Sequence, residues 1–184
     1  MVAERPVYPM EIAGVYRELP LFEVQPGLRI AVLNILGDVE LVEACAIALH
    51  EKLASLTYDV LVTAEAKSIP LAHALARVAR KPYVVLRKKY RTYMGQTIHA
   101  ETHSITTGQP QMLYLDEKDR DLVQGGRVVL LDDVISTGST LEGMRKIIEQ
   151  GGGEVVALAA ILTEGDPEKW TDVIALGHIP LFTD

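Results

Sequence analysis

Two adjacent carboxylates, Asp132 and Asp133, stand two residues before a run of small hydroxyl residues that begins at Ser136. Carboxylates accept hydrogen bonds, and a ribose offers two neighbouring hydroxyl donors. The loop at 136–140 reads Ser-Thr-Gly-Ser-Thr and opens a helix, where backbone N–H groups and the positive end of the helix dipole favour a phosphate. The combination predicts a site for a phosphorylated pentose such as ribose 5-phosphate, with direct coordination of Mg²⁺ by the aspartates as the alternative.

Charged residues also follow two other apolar runs, at 58–63 and 82–86. The segment 64–67 reads Ala-Glu-Ala-Lys, and the segment 87–91 reads Arg-Lys-Lys-Tyr-Arg. Because ligands of open α/β sheets bind beyond the carboxyl ends of the strands, we expect Lys67 to face the same crevice as the two aspartates. Its charge would favour an anionic group there. The plainer interpretations are a surface strand-to-helix turn for the first segment and a solvated loop for the second.

The spacing of apolar residues predicts the elements that position these groups. Apolar runs typical of buried strands alternate with helical periodicity, which favours right-handed parallel crossovers. We therefore expect an α/β fold with one domain over residues 1–184, in which a mostly parallel twisted sheet is flanked by helices. Asp38 is a predicted helix cap, and Ser139 with Glu142 has capping-box spacing. Strands are predicted at 58–63, 82–86, 128–131 and 154–162, and helices at 38–55, from Ser68 and from Ser139.

Residues 1–37 are expected to form a small N-terminal hood on a core at 38–184. Within the hood, prolines and weak periodicity predict an irregular arm at 1–10, followed by short strands and turns at 11–36. Within the core, the stretch at about 87–108 contains no long apolar run and is too long for an ordinary connector. The remaining regions are expected to be a mobile loop at about 87–108, a returning hairpin strand at 111–115, and short strands at 173–176 and 179–182.

Composition indicates a globular protein and excludes several classes of partner. The chain has 184 residues, 48% of them hydrophobic and 23% charged, with a formal net charge of −7. This acidic balance argues against nucleic-acid binding and against binding to anionic membranes. Cys45 is the one cysteine of the sequence, so no internal disulfide forms. No signal peptide or spanning segment is visible, so we expect a reduced, cytoplasmic setting.

The stretch from Val128 to Thr140 resembles the signature of the type I phosphoribosyltransferases, in which a hydrophobic strand, two acidic residues and a TGxT loop bind 5-phosphoribosyl-1-diphosphate (PRPP). The segment 64–67 resembles the diphosphate loop of that family, and the segment 87–91 resembles the start of its mobile loop. The resemblance implies transfer of a phosphoribosyl group to a base, with release of diphosphate.

The resemblance also implies roles for individual residues. Asp132, Asp133, Lys67 and Arg87 would be the catalytic residues, and the two aspartates would hold the ribose hydroxyls. Mg²⁺ would be the cofactor, carried on the diphosphate and ribose oxygens rather than bound directly by the protein. The partners would be PRPP and a purine base, and a homodimer is implied. The 5-phosphate would be held by Ser136, Thr137, Gly138, Ser139 and Thr140, and the diphosphate by Ala64, Glu65, Ala66, Lys67, Arg87, Lys88 and Arg91.

The layout is most similar to the adenine phosphoribosyltransferases and their xanthine and purine-repressor relatives, so purine salvage with adenine as the base is predicted. One departure is that adenine enzymes carry a Glu near the place of Thr106-Thr107-Gly108. His99, Glu101 and His103 are candidates to replace that acid–base group. The alternatives are a non-catalytic regulatory protein that binds PRPP and a pyrimidine or orotate enzyme.

Overall fold

The structure, a computed structural model, describes residues 5–103 and 110–183. Its helices are α1 (Val39–Leu53), α2 (Ile69–Ala79), α3 (Arg120–Val123) and α4 (Ser139–Gln150), with short 3₁₀ turns at Thr92–Met94, Glu117–Asp119 and Pro167–Trp170. Its strands are β1 (Val7–Ile12), β2 (Val15–Gln25), β3 (Leu28–Ala31), β4 (Val60–Ala64), β5 (Tyr83–Leu86), β6 (Ile98–His103), β7 (Pro110–Leu115), β8 (Arg127–Ile135), β9 (Glu154–Glu164), β10 (Val173–Ile179) and β11 (Phe182–Thr183).

The core is a parallel five-stranded sheet in the order β10-β9-β8-β4-β5. Successive side chains of β8 point to opposite faces, as strand geometry requires. Val129 and Leu131 pack with α1 and α2, whereas Val128 and Leu130 pack with α4 and the β6–β7 hairpin. Both faces are covered, which explains why β8 begins as an uninterrupted apolar run. The α/β class expected from the sequence is confirmed.

The predicted start of α1 is confirmed in detail. Asp38 is its N-cap, and the Asp38 side chain accepts a hydrogen bond from the Leu41 backbone N–H at 3.2 Å. Cys45 lies on the buried face of this helix, and burial raises the pKa of its thiol to about 12. In the part of the chain that the structure describes, no helix has the length and apolarity needed to cross a bilayer.

A four-stranded sheet, in the order β1-β2-β3-β11, forms the hood. The expected irregular arm at 1–10 is wrong from Val7 onward, because β1 pairs antiparallel with β2 over six positions. The predicted bounds of the last two strands, 173–176 and 179–182, are also wrong. β10 continues to Ile179 along β9, and β11 crosses to the hood, where Phe182 pairs with Arg29. The hood therefore draws on both ends of the chain.

The predicted hairpin is present as the antiparallel pair β6–β7. Ala100 and Thr102 face inward, and Thr102 lies so close to Gly143 of α4 that a side chain at Gly143 would collide with it. Arg87 and Tyr114 exchange backbone hydrogen bonds of 2.9 and 2.8 Å, which tie the start of the basic segment to β7. The hairpin thus covers the helix that follows the hydroxyl-rich loop.

Candidate functional site

Asp132 and Asp133 lie inside β8 rather than after it. The ladder with β9 continues past them, with Asp132 opposite Ala160 and Val134 opposite Leu162. The strand predicted at 128–131 is therefore too short, because pairing with β9 holds the polar residues in extended backbone. The two carboxylates project where the sheet approaches its carboxyl edge, next to the ends of β4 and β9.

Ser68, the N-cap residue of α2, joins the two carboxylates. Its hydroxyl lies 2.7 Å from Asp132 Oδ1 and 3.1 Å from Asp133 Oδ1, and it accepts a hydrogen bond from the Asp133 backbone N–H at 3.0 Å. A hydroxyl has one hydrogen to donate, so it serves one carboxylate at a time. Ser68 is 2% exposed and fixes the spacing of the pair.

Lys67 brings a cation to the same place. Its Nζ lies 2.8 Å from Asp133 Oδ2 and donates to the Leu33 backbone carbonyl at 3.1 Å. The ammonium group therefore links the carboxylates of the sheet to the chain that leaves the hood. This agrees with the expectation that the end of β4 and the carboxylates share one crevice.

The electrostatics of the pair are those of two like charges held together. Burial and the adjacent charge of Asp133 both raise the pKa of Asp132, against the opposing effect of the hydrogen bond from Ser68. A raised carboxyl pKa means that the folded protein resists the second negative charge. The site would therefore gain from a ligand that brings hydrogen-bond donors or positive charge.

The loop at 136–140 borders an open cleft of about 220 Å³ that Asp132 also lines. Gly138 adopts a left-handed backbone with φ of +77° and is the N-cap of α4. The predicted capping box is wrong, because Ser139 is the first helical residue and Glu142 pairs instead with Lys146 at 2.7 Å. The Thr137 and Ser139 hydroxyls lie 3.1 Å apart. The loop thus carries a glycine turn, two hydroxyls and a helix start beside the carboxylates.

Trp170 packs against this loop. A Cβ atom added to Gly138 would lie 2.8 Å from Cη2 of the indole, so only glycine fits beneath the ring. The indole Nε1 donates to the Glu164 backbone carbonyl at 3.1 Å. Trp170 therefore connects the hydroxyl-rich loop to the end of β9.

The basic segment is anchored by Glu65. Arg87 Nε lies 2.9 Å from Glu65 Oε1, and the Lys88 backbone N–H donates to Glu65 Oε2 at 2.8 Å. The Glu65 charge raises the pKa of Arg87. Ala64 is buried, Ala66 follows a cis peptide bond, and the side chains of Lys88 and Arg91 are exposed. The structure thus brings the segments 64–67 and 87–91 together at one edge of the sheet.

The candidate acid–base groups lie on the hairpin. His99 and Glu101 are exposed, on the side of β6 opposite to Ala100 and Thr102, and the His99 ring lies 5.7 Å from that of Tyr114. The side chain of His103 and the positions 106–108 lie outside the described residues. Their roles stay predictions.

Sequence reasoning missed Ser68 as a site residue and treated it only as a helix start. The available signal was its place immediately after Lys67, between a strand end and a helix. Among residues 5–103 and 110–183, no group of three or more His, Cys, Asp or Glu side chains is arranged to hold a metal ion.

A family model described as phosphoribosyl transferase domain matches residues 32–175. The chain is 38% identical over 109 residues to the hypoxanthine/guanine phosphoribosyltransferase of Methanococcus voltae, a match over 59% of this chain and 54% of that protein. It is 25% identical over 154 residues to the adenine phosphoribosyltransferase of Thermosipho africanus, over 83% and 87% of the two chains.

The fold is similar to that of the adenine phosphoribosyltransferase of Thermoanaerobacter pseudethanolicus. The TM-score is 0.72 at 21% sequence identity, covering 87% of this chain and 95% of the other. The match to the Methanococcus protein spans about half of that relative's length. The family model covers most of the present chain, including β4, β8 and the loop at 136–140. The chain belongs to the phosphoribosyltransferase family.

Proposed function

We propose that this protein transfers the phosphoribosyl group of PRPP to a nitrogen of a purine base and releases diphosphate. One observation carries the proposal: Asp132, Asp133, Ser68 and Lys67 form a single hydrogen-bonded cluster beside the loop at 136–140. An acceptor pair, a cation and a hydroxyl-rich loop at a helix start in one crevice match a sugar that carries a phosphate at one end and a diphosphate at the other.

In this proposal the sugar lies across the carboxyl edge of β8. The carboxylates of Asp132 and Asp133 accept hydrogen bonds from the two ribose hydroxyls, which relieves the unfavourable proximity of their charges. The 5-phosphate lies at the start of α4, where backbone N–H groups and hydroxyls donate to it. The proposed phosphate ligands are Ser136, Thr137, Gly138, Ser139 and Thr140.

The leaving group lies on the other side, toward β4. The bond from C1 to the diphosphate oxygen breaks as the C1–N bond forms, and positive charge builds on the ribose. Lys67 and Arg87 stabilise the departing negative charge, and the two aspartates stabilise the positive charge on the ribose. No protein nucleophile takes part. The proposed diphosphate contacts are Ala64, Glu65, Ala66, Lys67, Arg87, Lys88 and Arg91.

The residues of the site fit Mg²⁺ as a partner of the substrate rather than as a resident ion. Asp133 is engaged by Lys67 and Ser68, and Asp132 Oδ1 accepts from Ser68 and from the Asp133 backbone N–H. Mg²⁺ takes few protein ligands and keeps several from water and phosphate. When bound through PRPP, it would neutralise the diphosphate, with the acidic pair contributing charge from nearby.

The attacking nitrogen of the base must give up a proton during the reaction. His99, Glu101 and His103 stay our candidate acceptors, because they lie on the hairpin that follows the basic segment and carry imidazole or carboxylate groups, which can accept a proton. By family resemblance we also propose a homodimer and a cytoplasmic setting.

The proposal is tested with a panel of labelled adenine, hypoxanthine, guanine, xanthine, uracil and orotate, each with PRPP and Mg²⁺. Product nucleotide and diphosphate are measured together, so that transfer is separated from hydrolysis of PRPP. Turnover of a purine supports the proposal, and turnover of uracil or orotate alone replaces it with a pyrimidine enzyme. Binding of PRPP without turnover of any base would contradict it and select the regulatory alternative. Adenine was expected from the sequence, whereas the Methanococcus relative is named for hypoxanthine and guanine.

A further inference from the structure

Glu164 is a buried carboxylate that the proposed reaction has not yet used. It is the last residue of β9, at the edge of the sheet that carries Asp132 and Asp133, and it is 8% exposed. Among the described residues, its carboxylate makes no hydrogen bond or ion pair. Burial raises its pKa, and the charge of Lys67 acts in the opposite direction. Burying an ionisable group without partners is costly, so its retention needs a reason such as a ligand.

The backbone around Glu164 is held from several sides. His178 Nδ1 lies 2.9 Å from the Thr163 hydroxyl, and His178 Nε2 lies 3.0 Å from the Gly165 carbonyl. A carbonyl only accepts, so Nε2 carries a hydrogen. The Gly165 N–H donates to the Ile179 carbonyl at 3.0 Å, and Trp170 donates to the Glu164 carbonyl. The main chain is thus fixed, and the carboxylate is left available as a rigidly mounted acceptor.

Glu164 lies on the β9 side of the crevice, close enough to Lys67 for the Lys67 charge to lower its pKa. In the parallel ladder Thr163 pairs with Ile135, so Glu164 lies one step further, level with the first residue of the loop at 136–140. Lys67, on the far side of the carboxylate pair, reaches Leu33 of the chain leaving the hood. A base joined to ribose C1 would lie in the space between Glu164 and the chain at Leu33.

We propose that Glu164 recognises the base and selects a 6-oxopurine, guanine above hypoxanthine, over adenine; this inference rests on the function proposed above. An ionised carboxylate offers only acceptors. Guanine presents two adjacent donors, the N1–H and the 2-amino group, that match the two carboxylate oxygens. Hypoxanthine presents the N1–H alone. Adenine presents an unprotonated N1, whose lone pair would face the carboxylate. The proposal therefore departs from the adenine preference expected from the sequence.

The test is the isosteric substitution Glu164→Gln. The amide keeps the shape but offers one donor and one acceptor, which suits the N1 and 6-amino group of adenine and opposes one of the guanine donors. We expect kcat/KM for guanine to fall about 10- to 100-fold, the discrimination typical of a bidentate pair, while that for adenine holds or rises. The matched control is Glu154→Gln, since Glu154 begins the same strand at its opposite end and is exposed. It should leave both values unchanged.

Binding of nucleotides provides a readout that does not depend on turnover. Glu164→Gln should weaken GMP relative to AMP by a similar factor and leave ribose 5-phosphate binding unchanged. If the ratio of kcat/KM for guanine to kcat/KM for adenine stays within about twofold of the wild-type ratio, the inference is overturned while the proposed function remains intact. Absence of purine turnover by the wild type would instead reject the proposed function, and the GMP-to-AMP comparison would still decide the role of Glu164. If the Gln variant does not fold, Glu164→Asp decides: it should lower guanine turnover but keep the preference.

Discussion

The two ends of β8 carry charge in opposite arrangements. At the amino end, Arg127 and Asp59 form a paired contact in which two nitrogens of the guanidinium meet two carboxylate oxygens at 2.9 Å. At the carboxyl end, Asp132 and Asp133 are neighbours, and Ser68 and Lys67 hold them together. Arg127 lowers the pKa of Asp59, whereas burial and Asp133 raise that of Asp132. The first arrangement favours the folded chain, and the second opposes it while preparing a binding site.

The largest expected effect comes from removing charge at the carboxyl end. Replacing Asp132 and Asp133 together with Asn should lower kcat/KM by about 10³-fold or more, because the pair loses its negative charge toward the ribose. PRPP binding should fall with it, and circular dichroism should remain that of the wild type. Steady-state kinetics and calorimetric titration with PRPP measure the two effects. Normal PRPP binding by the double variant would show that the sugar lies elsewhere.

Removing the charge of Asp132 alone should have a smaller effect, which is an increase in the stability of the folded protein. An acid whose pKa is raised by folding contributes stability that is present below its ordinary pKa, 3.8 for Asp132, and is lost as the pH rises through the higher folded value. Asp132→Asn removes this loss. The variant should therefore exceed the wild type in free energy of unfolding by about 1–2 kcal/mol at pH 8 and match it near pH 3.

Urea denaturation of both proteins at the two pH values measures this difference. Asp59→Asn, measured in parallel, is the control for loss of one carboxylate at the other end of β8. A variant of Asp132 that is less stable than the wild type at pH 8 would mean that its hydrogen bonds outweigh the repulsion.

The smallest effect is expected at the amino end. Asp59→Asn should lower Tm by about 2 °C or less at pH 7, because exposed ion pairs contribute little and salt screens them. The pKa of Asp59 is lowered, so its contribution is present above 3.8 and is lost as the pH falls through the folded value. Thermal melts at pH 7 and pH 2.5 test this, and kcat/KM should not change. A large loss of activity would show that the amino end of β8 also contributes to the reaction.

The sequence predicts the parallel core because that core follows local rules. The apolar runs of β4, β5 and β8 and the cap at Asp38 are each legible within a few residues. The errors arise where distant pairing overrides the local pattern. β8 continues through Asp132 because β9 lies beside it, and β1 forms because β2 returns along it.

The residues of the candidate site also differ in how far the sequence predicts them. Asp132 and Asp133 stand out as a motif, whereas Ser68 joins them from 64 and 65 positions away, and its place after Lys67 does not reveal that contact. Glu164 is a single polar residue at a strand end, with nothing in the sequence to distinguish it from an exposed one. The contacts that hold the chain around it come from His178 and Trp170, which the local sequence does not connect to it.

The contact of Trp170 with Gly138 has a practical consequence, since this is the one tryptophan of the sequence. All indole emission arises beside the loop at 136–140, so occupancy of that loop becomes an optical signal that needs no label. Titration with ribose 5-phosphate should change the intensity or wavelength of the fluorescence, and the signal should disappear in Trp170→Phe. The molecule thus contains its own reporter for the first half of its substrate.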